Sequence, residues 1–209
     1  MAEERRAARV GIVLAGGESR RFGEPKAFVH YNGRPFYERA IQALAPVTDE
    51  VVLVSHPSLV DRFSQESSVP FIEDEAPYQG KGPLAGLYSV MKHIESIWYI
   101  TMPCDTPLIH ADMICRLAAF TDEAYDAIIP EIDGRDQPLV ALYHCKIASL
   151  LSEQLASENY RVIDLLNKAH VKRVTETDLH ITKELFTNIN TKDAYAQLLS
   201  DAPGRPLQP

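Results

Sequence analysis

Residues 10–28 read VGIVLAGGESRRFGEPKAF. A short apolar run rich in β-branched residues stops at Gly16 and Gly17, and Arg20, Arg21, Gly23 and Lys26 follow closely. Such a run, bounded by turn formers, reads as a buried strand. Glycines let backbone N–H groups approach a ligand and adopt positive φ, and an Arg/Lys cluster beside them suits an anion. The stretch therefore points to phosphate bound at the carboxyl end of a first strand, where ligands sit in open α/β sheets. Spacing excludes two familiar phosphate loops. A Walker loop needs a lysine directly after its last glycine and then Ser or Thr, but Glu24 and Pro25 separate Gly23 from Lys26, and Ala27 follows. The dinucleotide fingerprint G-x-G-x-x-G is equally absent from residues 16–23.

Working outward, EVVLVSH (50–56), VPFIED (69–74) and WYITMPCD (98–105) share the character of the first run and read as further buried strands. Helical patterns lie between them. RPFYERAIQALA (34–45) is one, and GPLAGLYSVMKHI (82–94) is another, with Leu84, Leu87, Met91 and Ile94 on one face. Alternating strand and helix predicts a parallel α/β sheet. YDAIIPEIDGRDQPLVALYH (125–144) reads instead as two strands joined by the polar DGRDQ, a hairpin that makes the sheet mixed. Helices are expected at about 146–158 and 161–169, a strand near 171–176, and a last helix from about 191. Residues 1–200 are expected to form one domain, and the Pro-rich tail 201–209 to be disordered.

The chain has 209 residues, 45% hydrophobic and 24% charged, which suits one domain with a substantial core. Lys and Arg number 21 against 29 Asp and Glu, a net charge of -8, so no global basic field favours nucleic acid. Any phosphate must be gripped locally. Cys104, Cys115 and Cys145 form no C-x-x-C pair and read as reduced cytoplasmic thiols. The charged start MAEERRAAR, followed by the short VGIVLA, predicts neither a signal peptide nor a membrane span.

Three further motifs carry polar groups to strand ends. In TMPCDTPLI (101–109), Asp105 closes an apolar strand; a carboxylate there can hold Mg²⁺, which takes oxygen ligands and shares its shell with substrate phosphates, or can cap the following turn. In FIEDEAPYQGKGPLAG (71–86), Asp74 ends another strand and Gly80, Lys81, Gly82, Pro83 and Gly86 open a helix, an approach that can admit an anion or a base edge. Glu73, Asp74 and Glu75 read equally well as a solvated acidic turn. In TNINTKDAY (187–195), Asn188 and Asn190 share a side if the segment is a strand, and Thr191 is placed to cap the last helix. The seven histidines show no metal-ligand spacing and read as structural or solvated, and no G-x-S-x-G elbow is present.

Taken together, LAGGESRRFGEPKA (14–27), IEDE (72–75), GPLAG (82–86), PCDTPLI (103–109), RDQPLVAL (135–142) and NINT (188–191) resemble the molybdenum cofactor guanylyltransferase family. The first motif alone is common to a wider group of nucleotidyltransferases, and the ordered set selects the molybdopterin branch. The resemblance implies a three-layer α/β/α Rossmann-like nucleotidyltransferase domain with a mostly parallel mixed sheet. It further implies a cytoplasmic enzyme that transfers GMP from GTP to the phosphate of molybdenum-bound molybdopterin, releasing pyrophosphate. By the same resemblance Leu14, Ala15, Gly16 and Gly17 contact the nucleotide, Lys26 its phosphates, Asp74 the nucleoside and Asp105 the Mg²⁺. Arg20 joins Lys26 and Asp105 in catalysis. Gly82, Asn188 and Asn190 complete the binding set, with the two asparagines, Arg135, Gln137 and Arg161 toward the pterin. Transient contact with other cofactor-biosynthesis proteins or acceptor molybdoenzymes is also implied. The sequence departs from the family in one place: some members carry a nucleotide-contacting Asn at the end of the second strand, where VVLVSHP (51–57) has Val54 or Ser55.

The acceptor in that reaction is a phosphate monoester with a second pKa of about 6, already largely deprotonated at neutral pH, so no strong general base is required. Electrostatics and positioning remain as the protein's task. Two rival readings stay open from sequence. A cytidylyltransferase acting on molybdopterin or another phosphorylated metabolite would use the same loop, and a nucleotide-binding partner protein would lack turnover.

Overall fold

In the computed structural model, residues 7–16 and 22–201 are described. Gly17, Arg20, Arg21 and residues 202–209 lie outside them. The opening apolar run forms β1 (Ala7–Leu14), as its composition predicts. A two-residue hairpin follows, β2 (His30–Tyr31) and β3 (Arg34–Pro35), turned by Asn32 and Gly33, both at positive φ. Then come α1 (Phe36–Leu44), β4 (Glu50–Ser55), α2 (Val60–Glu66), β5 (Phe71–Glu73), α3 (Pro83–His93), β6 (Ser96–Pro103) and α4 (Ala111–Ala118). The second half contributes β7 (Ala127–Ile132), β8 (Arg135–Asp136), β9 (Ala141–His144), α5 (Ala148–Ala156), α6 (Val162–Leu166), β10 (Val171–Thr175), α7 (Glu176–Leu179) and α8 (Lys192–Ser200).

The main sheet runs β10-β7-β9-β6-β1-β4-β5, with β8 added beside β7. β1, β4, β5 and β6 are mutually parallel, whereas β9 is antiparallel to both β6 and β7. β7, and β10 paired parallel with it, therefore run in the same direction as β6. The expected mixed, mostly parallel sheet is what forms. The hairpin turns at Asp133 and Gly134, both left-handed, and part of the polar connector itself becomes β8.

Strand alternation divides the core into two layers. Val13, Leu53, Ile100 and Met102 face α1 and α4, while Val10, Ile12, Val52 and Val54 face α3, α5 and α6. Burying each such side chain stabilises by about 1.5–3 kcal/mol, so slipping β1 by one residue, which exchanges its two faces, is strongly opposed. Leu84 and Leu87 of α3 are buried on the sheet, with Met91 and Ile94 partly so, as the helical spacing predicts. Thr191 caps α8 by accepting the Ala194 N–H. Among the described residues no helix is long and apolar enough to cross a membrane.

This topology sets the site. β1 has β4 on one side and β6 on the other, and all three end at the same edge. A chain that winds first one way from β1 and then the other leaves a crevice beyond those carboxyl ends.

Candidate active site

β1 delivers its glycine under control of both neighbours. Ala15 donates its N–H to the Val54 carbonyl at 2.9 Å, and Cys104 donates to the Leu14 carbonyl at 3.3 Å, so the ladder continues one residue past the strand. Gly16 then emerges into a cleft of about 430 Å³. Leu14 and Gly16 line it from β1, His56 from the end of β4, Asp74 from the end of β5, Gly82 from the start of α3, and Leu139 from across the crevice. A consequence for the predicted nucleotide contacts follows. The Ala15 N–H is committed to the sheet, so Ala15 has its carbonyl to offer, and Leu14 offers its side chain.

The GPLAG stretch folds as it does for two local reasons. Gly82 sits at φ 95°, ψ −168°, a region essentially closed to side-chain-bearing residues, and Pro83 occupies the first turn, where its missing N–H costs nothing. Gly86 faces β4, and a Cβ there would stand 2.8 Å from Val54 Cγ1. Its absence lets α3 lie close against the sheet, with the helix start at the cleft.

On the β6 side of β1 a second group of polar atoms assembles. Lys26 opens a 3₁₀ turn anchored by buried Ala27 and Phe28, and its ammonium donates to Asp105 Oδ2 at 2.9 Å and to Asn190 Oδ1 at 2.6 Å. The lysine and aspartate side chains are only 13% and 21% exposed, so solvent screens this pair less than a surface ion pair. Asp105 follows β6, and its carbonyl accepts the Ile189 N–H at 2.8 Å, which docks the segment carrying Asn190. That segment is not a strand: residues 187–190 run without regular structure between a 3₁₀ turn and α8. Both asparagines of this segment are exposed. Ile189 is buried between them, Asn190 reaches Lys26, and Asn188 is exposed with no hydrogen bond among the described residues.

Asp105 Oδ2 and Asn190 Oδ1 are hard oxygen donors already converging on one positive charge, a donor set that fits Mg²⁺. No cluster of three or more His, Cys, Asp or Glu suited to a metal occurs among the described residues, so substrate phosphates and water would supply the rest of its shell. Cys104, adjacent to Asp105, is no nucleophile: burial pushes its thiol up to about 12, and the Asp105 charge adds to that.

In the cleft, Asp74 accepts the Gly80 N–H on Oδ2 at 3.0 Å, while its Oδ1 is buried with no hydrogen-bond partner among the described residues. Burial raises its carboxyl above the usual value, opposed by the Gly80 N–H and by nearby His56. The neighbouring Glu75 has a different job. It pairs with Lys92 of α3 at 2.7 Å, and its N–H donates to Ser89 Oγ, so the acidic turn is pinned to the helix rather than solvated. A larger depression of about 570 Å³ lies at the opposite edge of the sheet, around Arg9, Asp49, Trp98 and Asp122, away from these groups.

Residues 11–174 match the family model described as the MobA-like NTP transferase domain. The chain belongs to that family. A probable molybdenum cofactor guanylyltransferase of Bacillus cytotoxicus is 45% identical over 190 residues, covering 91% of this chain and 96% of that protein. The fold is similar to that of molybdopterin-guanine dinucleotide biosynthesis protein A from Archaeoglobus fulgidus, with a TM-score of 0.78 at 24% identity over 91% of this chain and 97% of that one. It is also similar to a 4-diphosphocytidyl-2C-methyl-D-erythritol synthase from Anaerococcus prevotii, with a TM-score of 0.70 at 14% identity over 92% and 97% of the two chains. The MobA-like fold alone therefore does not select the base.

Of the residues expected at the site of this MobA-like chain, Leu14, Gly16, Asp74 and Gly82 meet in the cleft, and Lys26, Asp105 and Asn190 meet beside β6. Gly17 and Arg20 lie outside the described residues. The residues assigned toward the pterin lie on the second half of the chain. Arg135 and Gln137 sit on and after β8, linked only by a 3.4 Å bond from Gln137 Nε2 to the Arg135 carbonyl, and the Arg161 side chain is 75% exposed at the start of α6. His56 was not singled out by its sequence neighbours, yet it lines the cleft.

Proposed function

We propose that the protein is a molybdenum cofactor guanylyltransferase, which transfers GMP from GTP to the phosphate of molybdenum-bound molybdopterin to form the guanine dinucleotide cofactor and pyrophosphate. The observation that carries the chemistry is the contact of Lys26 with Asp105 and Asn190, which joins three separate motifs at the carboxyl edge of the sheet beside an open cleft. The base and the acceptor follow from the relatives at 40–45% identity, named as probable molybdenum cofactor guanylyltransferases.

In this reading the base enters the cleft against Asp74 and Gly82, and the triphosphate passes over Gly16 toward Lys26. An oxygen of the acceptor phosphate attacks the α-phosphorus in line, the bond to the bridging oxygen of the β-phosphate breaks, and its electron pair leaves with pyrophosphate. No proton need be removed from the attacking oxygen. Lys26 gives its ammonium to the phosphates, exchanging Asp105 for a second anionic partner, and Asp105 with Asn190 would hold the metal. Mg²⁺ bound there would supply charge neutralisation for the triphosphate and the leaving group. GTP as donor and the three free thiols suit work in the cytoplasm.

Titrating purified protein with GTP, CTP, ATP and UTP in the presence of Mg²⁺, followed by pyrophosphate release with molybdenum-molybdopterin, tests the proposal. Selective GTP binding and GMP transfer are expected. Preference for CTP would replace it with a cytidylyltransferase, and selective binding without pyrophosphate release would leave a nucleotide-binding partner protein.

A further inference from the structure

We infer that His56 is a specificity-determining residue of the nucleotide cleft, donating its Nε2–H to the O6 acceptor of guanine while Asp74 receives the N–H groups of the same base edge. The inference rests on the guanylyl-transfer reading and adds to it a residue that reads the base.

Position comes first. His56 follows β4 directly, lines the cleft with Gly16 and Asp74, and its backbone nitrogen lies 3.5 Å from where a Cβ on Gly16 would stand. The two residues before it have no polar group to give. Val54 is apolar and packed beneath Gly86, and Ser55 is 1% exposed with its hydroxyl donated to the His56 carbonyl. His56 is thus the first side chain after β4 able to make a polar contact with a base.

The second observation fixes the proton. His56 caps the 3₁₀ turn Pro57–Leu59: its Nδ1 accepts the Ser58 N–H at 3.2 Å and faces Ser58 Oγ at 2.8 Å. A ring nitrogen that accepts an N–H is unprotonated, so the neutral ring carries its hydrogen on Nε2. No described residue forms a hydrogen bond to that nitrogen. Capping uses Nδ1 alone, and Ser or Asn would cap as well; a cap therefore gives no account of the donor left over.

The third observation is the complement. Asp74 Oδ1 is buried in the same cleft without a partner among the described residues. A cleft holding one unmatched acceptor group and one unmatched donor asks for a ligand edge of the opposite pattern. Guanine presents N1–H and N2–H₂ beside O6, two donors for a carboxylate and one acceptor for an imidazole N–H. Adenine and cytosine offer a single exocyclic amine as donor, and uracil a single N–H, so each leaves the carboxylate less well satisfied.

The test is calorimetric titration of the full-length protein with GTP, 6-thio-GTP and ITP in Mg²⁺. A thiocarbonyl is a poor acceptor, so wild type should bind 6-thio-GTP about fivefold more weakly than GTP. His56→Ser keeps a cap and removes the donor; it should bind GTP about fivefold more weakly and lose the distinction from 6-thio-GTP, while His56→Gln, with an amide N–H at similar reach, should restore part of it. ITP lacks the N2 amine, and its penalty, which reads Asp74, should survive in His56→Ser and so show an intact cleft. Equal binding of GTP and 6-thio-GTP by wild type, or an unchanged ratio in His56→Ser, overturns the inference while leaving guanylyl transfer standing. A wild type that does not prefer GTP to CTP, ATP and UTP overturns both.

Discussion

The two sides of β1 hold different kinds of site. Beside β6, Lys26, Asp105 and Asn190 satisfy one another before any ligand arrives, across sequence separations of 79 and 164 residues. Beside β4, the cleft keeps a buried carboxylate oxygen without a partner among the described residues and a glycine at φ 95°. On the proposed reading, the charged groups assigned to phosphate are held in place by each other, whereas the groups assigned to the base are held by backbone and left unsatisfied. Unmatched polar groups cost stability in the free protein and return it on binding. Substitutions on the β6 side should therefore cost rate without adding stability, and substitutions in the cleft should cost affinity and can add stability.

The largest expected effect belongs to Asp105→Asn. The amide keeps the shape but loses the charge that on the proposed reading would hold a cation, and loss of one preorganised electrostatic contact typically lowers turnover by about 10²–10³-fold. We expect the upper end, because the lost carboxylate also positions Lys26. The Asp105 carbonyl still accepts from Ile189, so the C-terminal segment stays docked and Tm should move by only a few degrees. Pyrophosphate release at saturating substrates, with thermal melts alongside, checks both parts. Lys26→Met should lower turnover by about 10²-fold and slightly destabilise the free protein, since Asp105 and Asn190 lose their shared cation. A Lys26→Met protein more stable than wild type would break the contrast between the two sides.

Asp74→Asn should behave in the opposite way. Burial raises the folded-state pKa of Asp74 above its ordinary 3.8, so between those two values the native state holds more protons than the unfolded state. Stability consequently falls as pH rises through that window, and at neutral pH the wild type carries the whole penalty. Asn carries none, and its carbonyl can still accept the Gly80 N–H. The variant should thus be more stable than wild type at neutral pH, with the gap closing as pH falls through that window toward about 4. Its GTP affinity should drop about tenfold or more, the cost of a lost charged hydrogen bond. Melts across pH 4–8 and nucleotide titration at pH 7 separate the two effects.

Much of this was legible in local patterns. β1, β4, β5 and β6 stand where apolar runs end at turn formers, and the Asp-Gly pair marked the β7 to β8 turn. Other local signals were present but unread: Asn32-Gly33 turns the β2 and β3 hairpin, and Met113, Ile114 and Leu117 form the buried face of α4. The meeting of Lys26 with Asn190 was not legible, because it depends on the fold bringing distant segments together. The segment around Asn190 joins no ladder: the Ile189 N–H goes to a single carbonyl in the loop after β6. The His56 tautomer likewise follows from a turn whose geometry no residue pattern announces.

The smallest effect asks whether the two sides are independent. In Gly86→Ala, better helix propensity contributes up to about 1 kcal/mol, but the added Cβ would stand 2.8 Å from Val54 Cγ1 and 3.5 Å from Leu14 Cδ2. Overpacking of that kind costs about 1–3 kcal/mol, so the net change should be a destabilisation near 1 kcal/mol and a Tm lower by about 2–4 °C. α3 must shift outward, carrying Gly82 and Pro83 with it, and GTP should bind a few-fold more weakly. Lys26, Asp105 and Asn190 lie on other elements, so kcat at saturating GTP should stay near wild type. Adding Val54→Ala should relieve the clash and recover affinity beyond the sum of the single changes, which a double-mutant cycle reads directly. If kcat instead fell as far as affinity, the strand ends under α3 would be transmitting its position to the β6 side, and rate and recognition would share one scaffold.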